Sequence, residues 1–311
     1  MSVPLMQALK IGSYVFRQKL KGNKRYPLVM MLEPLFRCNL ECIGCGKIQK
    51  PNEILKQNMT PEQCFKAAKE CGAPVVSIAG GEPLMHPEIV EIVKGLVAMK
   101  RFIYLCTNAI LLKDYLEQLP VSPYLTLSIH LDGMEEEHDR IVDKKGTFKL
   151  AIEAVKEAKK RGFRVTSATT FFEDTTVEMA EEFLDYIAPL GIDGVTMASA
   201  FRYPDAPDQD HFFGRRRTFD FFEKLNIEMV TDYFIVTSHR GQRSFDSFPG
   251  ELVSLFPQRF GTVVSTTALK YPLNETVLNP SARGISNQSI GATFSVVASD
   301  PILVFRGHPK N

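Results

Sequence analysis

An alternation of two kinds of segment over residues 28–199 constrains the fold of this chain more than any other feature. Short runs of β-branched and apolar residues, typical of buried strands, alternate with longer stretches of helical periodicity. The predicted strands are 28–35, 75–79, 102–106, 124–131, 164–171 and 194–199, and the predicted helices are 60–72, 87–99, 111–118, 147–161 and 176–189. Six such units predict an α/β fold, a partial (β/α)6 barrel with a parallel sheet and right-handed crossovers. The functional site of such a barrel lies at the carboxyl ends of its strands.

The composition changes near residue 226, and the remainder of the chain is predicted to form a second domain. Residues 227–311 hold only 13 of the 73 charged residues, together with 17 Ser or Thr. Short strands are predicted at about 228–237, 251–256, 262–267, 293–298 and 301–306, which favours a small all-β sandwich or roll. The predicted organisation is an N-terminal arm over 1–27, the partial barrel over 28–222 and the β-domain over 227–311.

Residues 4–20 are predicted to form an amphipathic helix, with basic residues opposite an apolar face. The apolar face consists of Leu5, Ala8, Leu9, Gly12, Val15, Phe16 and Leu20. We expect the arm to pack on the barrel through this face; the alternative is a helix that lies on a membrane surface. Lys10 and Arg17 interrupt the segment and no long apolar core follows, so it does not have the pattern of a secretory signal.

Charge and cysteine usage exclude several classes of protein. The 37 Lys and Arg against 36 Asp and Glu leave a net charge of +1, which gives no electrostatic case for binding nucleic acid. The sequence contains no run of 18 apolar residues, so no transmembrane helix is predicted. The six cysteines all lie at or before Cys106 and are too few for a disulfide framework. We therefore expect a cytoplasmic protein, with a membrane-peripheral location as the alternative.

Three cysteines directly after the first predicted strand carry the strongest chemical signal. Cys38, Cys42 and Cys45 form a CxxxCxxC loop. Three thiolates at this spacing can ligate three irons of a [4Fe–4S] cluster and leave the fourth iron open. The alternative is a zinc site, which requires a fourth ligand. Cys64 and Cys71 are available, but their helical i, i+7 spacing predicts a common packed face.

A second motif follows the second predicted strand. Residues 77–83 read Ser-Ile-Ala-Gly-Gly-Glu-Pro, and together with the cysteine loop they resemble the radical S-adenosylmethionine (SAM) superfamily. The resemblance implies that Gly80, Gly81 and Glu82 hold the methionine part of SAM, with glycine where a ligand approaches the backbone closely. It also implies a [4Fe–4S] cluster, SAM and an external electron donor such as a flavodoxin or a ferredoxin.

Polar residues at the ends of the third and fourth predicted strands are further candidates for contacts with SAM or substrate. Thr107 and Asn108 end the third strand, and Ser128, His130 and Asp132 end the fourth. Two alternatives stay open here. Asp132 and the glycine after it can form only a turn, and His130 can be a packed histidine.

Several longer segments resemble one family within that superfamily, the adenosyl-hopene transferases of hopanoid biosynthesis. They are residues 26–29, 32–38, 71–83, 104–109, 130–133, 206–212 and 215–218, and the resemblance covers roughly residues 1–222. It implies a hopene lipid as substrate, the adenosyl radical adding to the alkene of diploptene to give adenosylhopane. Cys106 is then the candidate donor of the hydrogen atom that the product radical requires; its alternative is a small buried core residue. The chain has no cysteine after Cys106, so no auxiliary C-terminal metal site is expected.

The predicted β-domain resembles a different family. Residues 228–232, 252–257, 268–273 and 284–287 are similar to the thiamine-binding domain of thiamine pyrophosphokinase. The resemblance implies a homodimer that holds thiamine through Ser286 and Asn287, although these residues alone can be a turn. The kinase half of that family has no counterpart here. The leading prediction is a radical SAM adenosyl transferase; the alternatives are a thiamine-binding dimerisation module fused to a catalytically idle barrel, and a thiamine pyrophosphokinase.

Overall fold

The chain divides into two compact units, Val3–Gly214 and Arg215–Asn311. The structure, a computed structural model, describes residues 4–172, 174–200, 228–230, 234–257, 261–278 and 284–307. The join predicted at 222–227 lies outside the described residues, so the predicted domain limits stay predictions.

The first unit is built on a six-stranded, fully parallel sheet whose strands lie side by side in chain order. The strands are β1 (Val29–Leu32), β2 (Val75–Ile78), β3 (Phe102–Thr107), β4 (Leu125–His130), β5 (Arg164–Phe171) and β6 (Gly194–Ser199). The helices are α1 (Leu5–Leu20), α2 (Asn52–Leu55), α3 (Pro61–Cys71), α4 (Ile89–Ala98), α5 (Leu112–Tyr115), α6 (Glu135–Ile141), α7 (Thr147–Lys160) and α8 (Val177–Ile187). This is the partial barrel that the alternation of segments predicts.

The main core of this unit lies between the sheet and the helices. Ile103 and Leu105 of β3 are buried in it, and so are Leu125 and Leu127 of β4. Because side chains alternate along a strand, Cys106 falls on the other, concave face of the sheet. The sheet therefore separates the packing core from the face that carries the polar strand ends.

Strand β1 and two short helices differ from the sequence predictions. β1 ends at Leu32, short of the predicted residue 35. The backbone that follows bonds instead to the loop after β2, where the Leu35 carbonyl accepts a hydrogen bond from the Gly81 N–H at 3.0 Å. Helices α6 and α2 were not predicted. Seven and four residues are too few for a helical period to show clearly in the sequence.

Helix α1 forms where the sequence predicts it, but the expectation that its apolar face packs on the barrel is wrong. Leu5, Leu9, Phe16 and Leu20 are exposed, and Gln7 is the buried residue of the helix. The helix contacts the rest of its unit through a largely polar face. None of the helices among the described residues has the length and apolar character that crossing a membrane requires.

The second unit is an antiparallel β half-barrel built on one seven-stranded sheet. Its strands are β7 (Glu228–Val230), β8 (Phe234–Asp246), β9 (Leu252–Pro257), β10 (Thr262–Thr267), β11 (Thr276–Leu278), β12 (Gly284–Gln288) and β13 (Thr293–Gly307). The core includes Val253, Val264, Phe294 and Val304, which are all fully buried. The prediction of a small all-β domain is confirmed.

The main difference from the predicted strand limits in this unit concerns β13. The two strands predicted at 293–298 and 301–306 are the single strand β13, which pairs with β8 on both sides of an irregularity between Ala298 and Ile302. Pro301 lies in that irregularity, where its missing N–H costs the ladder no bond. The predicted strand 228–237 is divided between β7 and a β8 that continues to Asp246, and β11 and β12 were not predicted.

Candidate active site

A cavity of about 320 Å³ lies at the carboxyl ends of the strands of the first unit. It gathers most of the candidate residues of this unit: Cys38, Cys42, Cys45, Gly80, Gly81, Glu82, Cys106, Thr107, Asn108, His130 and Asp132. Ser128 is buried in β4 and is not among the residues that line the cavity. Ser286 and Asn287 belong to the other unit.

The three cysteines of the loop are free thiols of intermediate burial on the cavity wall. Burial raises the pKa of Cys38 to about 11, and the nearby charges of Glu82 and Cys45 push it in the same direction. Burial also raises the pKa of Cys42, with Cys38 and Cys45 as its next charged neighbours. Three thiolates so close together require a positive partner, and bound iron provides one.

The arrangement suits a cluster better than a zinc ion. Among the described residues, no group of three or more His, Cys, Asp or Glu side chains converges closely enough to hold one metal ion. Zinc requires its ligands about 2.0–2.3 Å from a single point, whereas a cluster takes each thiolate on a different iron. Cys64 is fully buried in the core and neither it nor Cys71 lines the cavity, so neither supplies a fourth ligand.

The two glycines after β2 pack against the backbone that leads into the cysteine loop. A Cβ on Gly80 would lie 2.2 Å from the Leu35 carbonyl oxygen, and one on Gly81 would lie 2.0 Å from that of Arg37. The Glu82 N–H donates to the Arg37 carbonyl at 3.0 Å, next to the hydrogen bond from the Gly81 N–H to the Leu35 carbonyl. The family resemblance implies that these glycines allow a ligand to approach, whereas the contact that excludes a side chain here is with the chain's own backbone.

Glu82 is buried, with 1% of its surface exposed, and its carboxylate is well bonded. Oε1 accepts from the Leu84 N–H at 3.0 Å and from the Thr107 hydroxyl at 2.8 Å, and Oε2 accepts from the Asn108 N–H at 2.8 Å. Burial raises the pKa of this carboxyl, and the three hydrogen bonds oppose that shift. Glu82 thus joins the end of β3 to the glycine loop while still lining the cavity.

Asn108 links the end of β3 to the cysteine loop. Its Nδ2 donates to Asn39 Oδ1 at 2.7 Å and approaches Cys38 Sγ at 3.8 Å, and its Oδ1 accepts from the Ile110 N–H at 3.1 Å. Hydrogen bonds to cysteine sulfur are one of the ways in which a protein sets the potential of an iron–sulfur cluster. Its contact with SAM stays a prediction, as do those of the other candidate residues.

Cys106 reaches the cavity from the concave face of β3. Its Sγ lies 3.4 Å from Ser77 Oγ, and Ser128 also hydrogen-bonds to it from β4. Burial raises the pKa of Cys106, and the two serines oppose the shift. The group is therefore a neutral thiol that still carries its S–H hydrogen at neutral pH.

His130 and Asp132 form an oriented pair at the end of β4. His130 Nε2 lies 2.5 Å from Asp132 Oδ2, and Asp132 Oδ1 accepts from the Thr170 N–H at 2.7 Å. Burial lowers the pKa of His130, but the charge and hydrogen bond of Asp132 raise it by more than burial lowers it, so the pKa is raised overall. His130 lines the cavity, with 30% of its side chain exposed. It is therefore not the fully packed histidine of the alternative interpretation.

The chain bends at Gly133 and Met134, directly after Asp132, in the place where the alternative interpretation expects a turn. Gly133 has a φ of 91°, and a Cβ there would lie 2.8 Å from Glu137 Oε2. His138 of α6 was not among the candidates from the sequence, although its Nδ1 accepts from the Asp132 N–H at 3.1 Å. Its only signal was a polar residue in a helix that was itself too short to predict. Burial lowers the pKa of His138 to about 4, so it is neutral.

Part of the cavity wall is apolar. The apolar lining residues include Leu40, Ile43, Ile141, Phe172, Ala198 and Ala200. Ile141, Phe172 and Ala200 form a small buried cluster with Ile43 packed against it. None of these residues was named from the sequence, because they come from four separate segments that share no local pattern.

Comparison with known proteins agrees with this geometry. Residues 32–187, half of the chain, match the Radical SAM superfamily. The chain belongs to the radical SAM superfamily. Its cofactors are accordingly a [4Fe–4S] cluster and SAM, and the described residues that fit the cluster are Cys38, Cys42 and Cys45.

The similar proteins differ in what they are named for. A GTP 3′,8-cyclase of Clostridium perfringens is 27% identical over 158 residues, which are 49% of this chain and 48% of that protein. This chain thus spans about half the length of the curated relatives it matches. The structure of Streptococcus suis SuiB bound to its precursor peptide SuiA has a TM-score of 0.52 and 21% identity, covering 63% of this chain and 45% of SuiB. That likeness shows the fold alone.

The second unit contains the two residues assigned to thiamine. Asn287 is buried, and its side chain is bonded to the backbone of Tyr271: Oδ1 accepts from the N–H at 3.0 Å and Nδ2 donates to the carbonyl at 2.6 Å. Ser286 lies in β12. A thiamine pyrophosphokinase of Bacillus subtilis resembles this chain distantly, with 14% identity and a TM-score of 0.24 over 50% of this chain and 93% of that one.

Proposed function

We propose that this chain is a radical SAM adenosyl transferase that acts on the alkene of a hopene-type lipid. The observation that carries the proposal is the apolar cluster of Ile43, Ile141 and Phe172, which lines the same cavity as the cluster cysteines. When bound, the cluster and SAM supply a 5′-deoxyadenosyl radical. A hydrocarbon substrate needs an apolar wall and has no charge to be paired.

Cys106 supports the second half of the reaction. Addition of the radical to a 1,1-disubstituted alkene forms a C–C bond and leaves a tertiary carbon radical. A neutral thiol can then give up its hydrogen atom, since the S–H bond that breaks is weaker than the C–H bond that forms. The sulfur radical left on Cys106 is restored by one electron and one proton. A flavodoxin or a ferredoxin is the proposed source of the electron.

The chemistry of the cavity favours this substrate class over a nucleotide such as GTP. Triphosphates are bound by cationic side chains or metal ions. None of the described lining residues is Lys or Arg, and His130, already paired with Asp132, is the group there that can carry a positive charge. The relatives named for GTP therefore inform the cofactors but not the substrate.

The test is product formation by the full chain. Anaerobically reconstituted protein is incubated with SAM, a reductant and diploptene, and adenosylhopane is sought by mass spectrometry. We expect the saturated adduct from the wild type, and SAM cleavage without saturated adduct from Cys106→Ala. Cys64→Ala is the matched control, because this buried cysteine lies outside the cavity and its loss should leave the product unchanged.

Each failure has a distinct meaning. Wild-type protein that cleaves SAM without any adduct would refute the lipid substrate. A normal yield of saturated adduct from Cys106→Ala would remove the thiol from the reaction. A fully loaded cluster with no SAM cleavage would favour the alternative of an idle barrel joined to a thiamine-binding module, which calorimetric titration with thiamine would test directly.

A further inference from the structure

A row of large apolar side chains on helix α1 is exposed. Leu5, Leu9, Phe16 and Leu20 have between 56% and 71% of their surface exposed. Their spacing of four, seven and four residues places them on one face of a helix with 3.6 residues per turn. These four residues, the α1 stripe, run the length of the 16-residue helix. Single exposed apolar residues are ordinary, but a continuous row of them marks an interaction surface.

The opposite face of α1 holds the helix to its own unit. Gln7 Nε2 lies 3.3 Å from the Tyr104 hydroxyl, and the Lys10 ammonium lies over the rings of Phe102 and Tyr124, at 5.7 and 5.4 Å from the ring centroids. The helix is thus fixed by its polar side, and this orientation turns the α1 stripe away from the barrel core.

The charged residues of α1 and of the segment that follows it are all of one sign. Residues 1–32 contain six basic residues and no acidic one, a net charge of +6. The whole chain has a net charge of +1, so the other 279 residues together carry −5. Arg17, Lys19 and Lys21 lie in or directly after the last turn of α1 and are exposed. An apolar row flanked by basic residues alone is the pattern of a helix that lies in the interface of an anionic membrane.

We propose that α1 binds the surface of an anionic lipid bilayer, with the α1 stripe inserted among the acyl chains and its basic residues at the phosphate level. A second copy of the chain fits less well, because a two-fold contact through the stripe would bring two segments of +6 together. The inference stands on α1 alone. It holds whatever the barrel does with SAM.

The test is flotation of the full chain with vesicles of phosphatidylcholine, with or without phosphatidylglycerol. We expect binding to the anionic vesicles, at least tenfold weaker binding to pure phosphatidylcholine, and loss of binding at high salt. Phe16→Glu, and Lys19→Glu with Lys21→Glu, should each weaken anionic binding by about tenfold or more. Leu150→Glu is the matched control, since Leu150 is an exposed apolar residue on helix α7 and its replacement should change nothing.

A fluorescent variant gives an independent measurement. The chain contains no tryptophan, so Phe16→Trp carries a single indole on the stripe. Its emission should shift to the blue on addition of anionic vesicles, whereas Leu150→Trp should not respond. Equal binding to both kinds of vesicle, wild-type binding by Phe16→Glu, or an unshifted Phe16→Trp spectrum would each overturn the proposal. The proposal would also be overturned if the wild-type chain bound no vesicles and instead formed a dimer that Phe16→Glu abolished.

Discussion

Replacement of Gly81 by alanine tests why glycine stands in the loop after β2. The added Cβ would lie 2.0 Å from the Arg37 carbonyl oxygen, whereas real Cβ contacts are longer than 3.0 Å, so the two backbones must separate by at least 1 Å. Gly81 does not have a positive φ, so backbone conformation adds no separate cost. Separation would break the 3.0 Å bond from Glu82 N–H to Arg37 and displace the approach to Cys38.

The magnitude follows from these two losses. Overpacking of a tight contact costs about 1–3 kcal/mol and a lost hydrogen bond about 1 kcal/mol, which together give about 2–4 kcal/mol. Because domains are stable by about 5–15 kcal/mol, the variant should still fold. We expect Gly81→Ala to lower the free energy of unfolding of the metal-free protein by this amount, measured in urea by circular dichroism, and to lower its iron content after reconstitution.

Gly12 of helix α1 provides the matched control. A Cβ added at Gly12 would have no neighbouring atom within 4 Å, so Gly12→Ala should be neutral or slightly stabilising. If Gly81→Ala unfolds like the wild type without metal, takes up full iron and loses only SAM affinity, then the glycine serves ligand approach and the reasoning from the Arg37 contact is wrong.

Three further changes test the site. Alanine in place of any one cysteine of the loop should abolish the cluster and SAM cleavage. Cys64→Ala should keep its iron and lose on the order of 1 kcal/mol of stability. Iron and sulfide analysis of the reconstituted variants measures whether the cluster is present. Glu82→Gln should retain iron and weaken SAM binding in a titration, and iron loss equal to that of a cysteine variant would refute this role. Asp132 raises the pKa of His130 in the folded protein. Their pairing therefore contributes its full stabilisation below the unfolded pKa of about 6.5, and this stabilisation is lost as the pH rises through the pKa of the folded state. Urea unfolding across that range should show this loss in the wild type and not in His130→Gln.

The sequence predicted the parts of the fold that depend on short-range patterns. The six strands and the cysteine loop each lie within a few residues of a clear signal, such as the apolar and aromatic run before Cys106 or the spacing of Cys38, Cys42 and Cys45. Segments shorter than two helical turns carry no such period, and so α6, with His138, was missed.

The orientation of α1 and the apolar cluster of the cavity wall could not be predicted for a different reason. Periodicity shows that α1 has an apolar face but not which neighbour that face meets, and here Gln7 and Lys10 hold the helix instead. Ile43, Ile141 and Phe172 are distant in sequence, and only the closed fold brings them together. Tertiary contacts of this kind leave no trace in a local pattern.

The position of β13 has a consequence for how the chain is made. β13 lies between β8 on one side and β10 and β9 on the other, and its last pair joins Gly307 to Phe234, which are 73 residues apart. On a ribosome that releases the chain from its N-terminus, the parallel sheet of the first unit can form while β13 is still unmade. The antiparallel sheet has to wait for its central strand, and β8, β9 and β10 stay without that partner until then. Such distant pairings form slowly, so folding of the second unit should be the late step in the maturation of this protein.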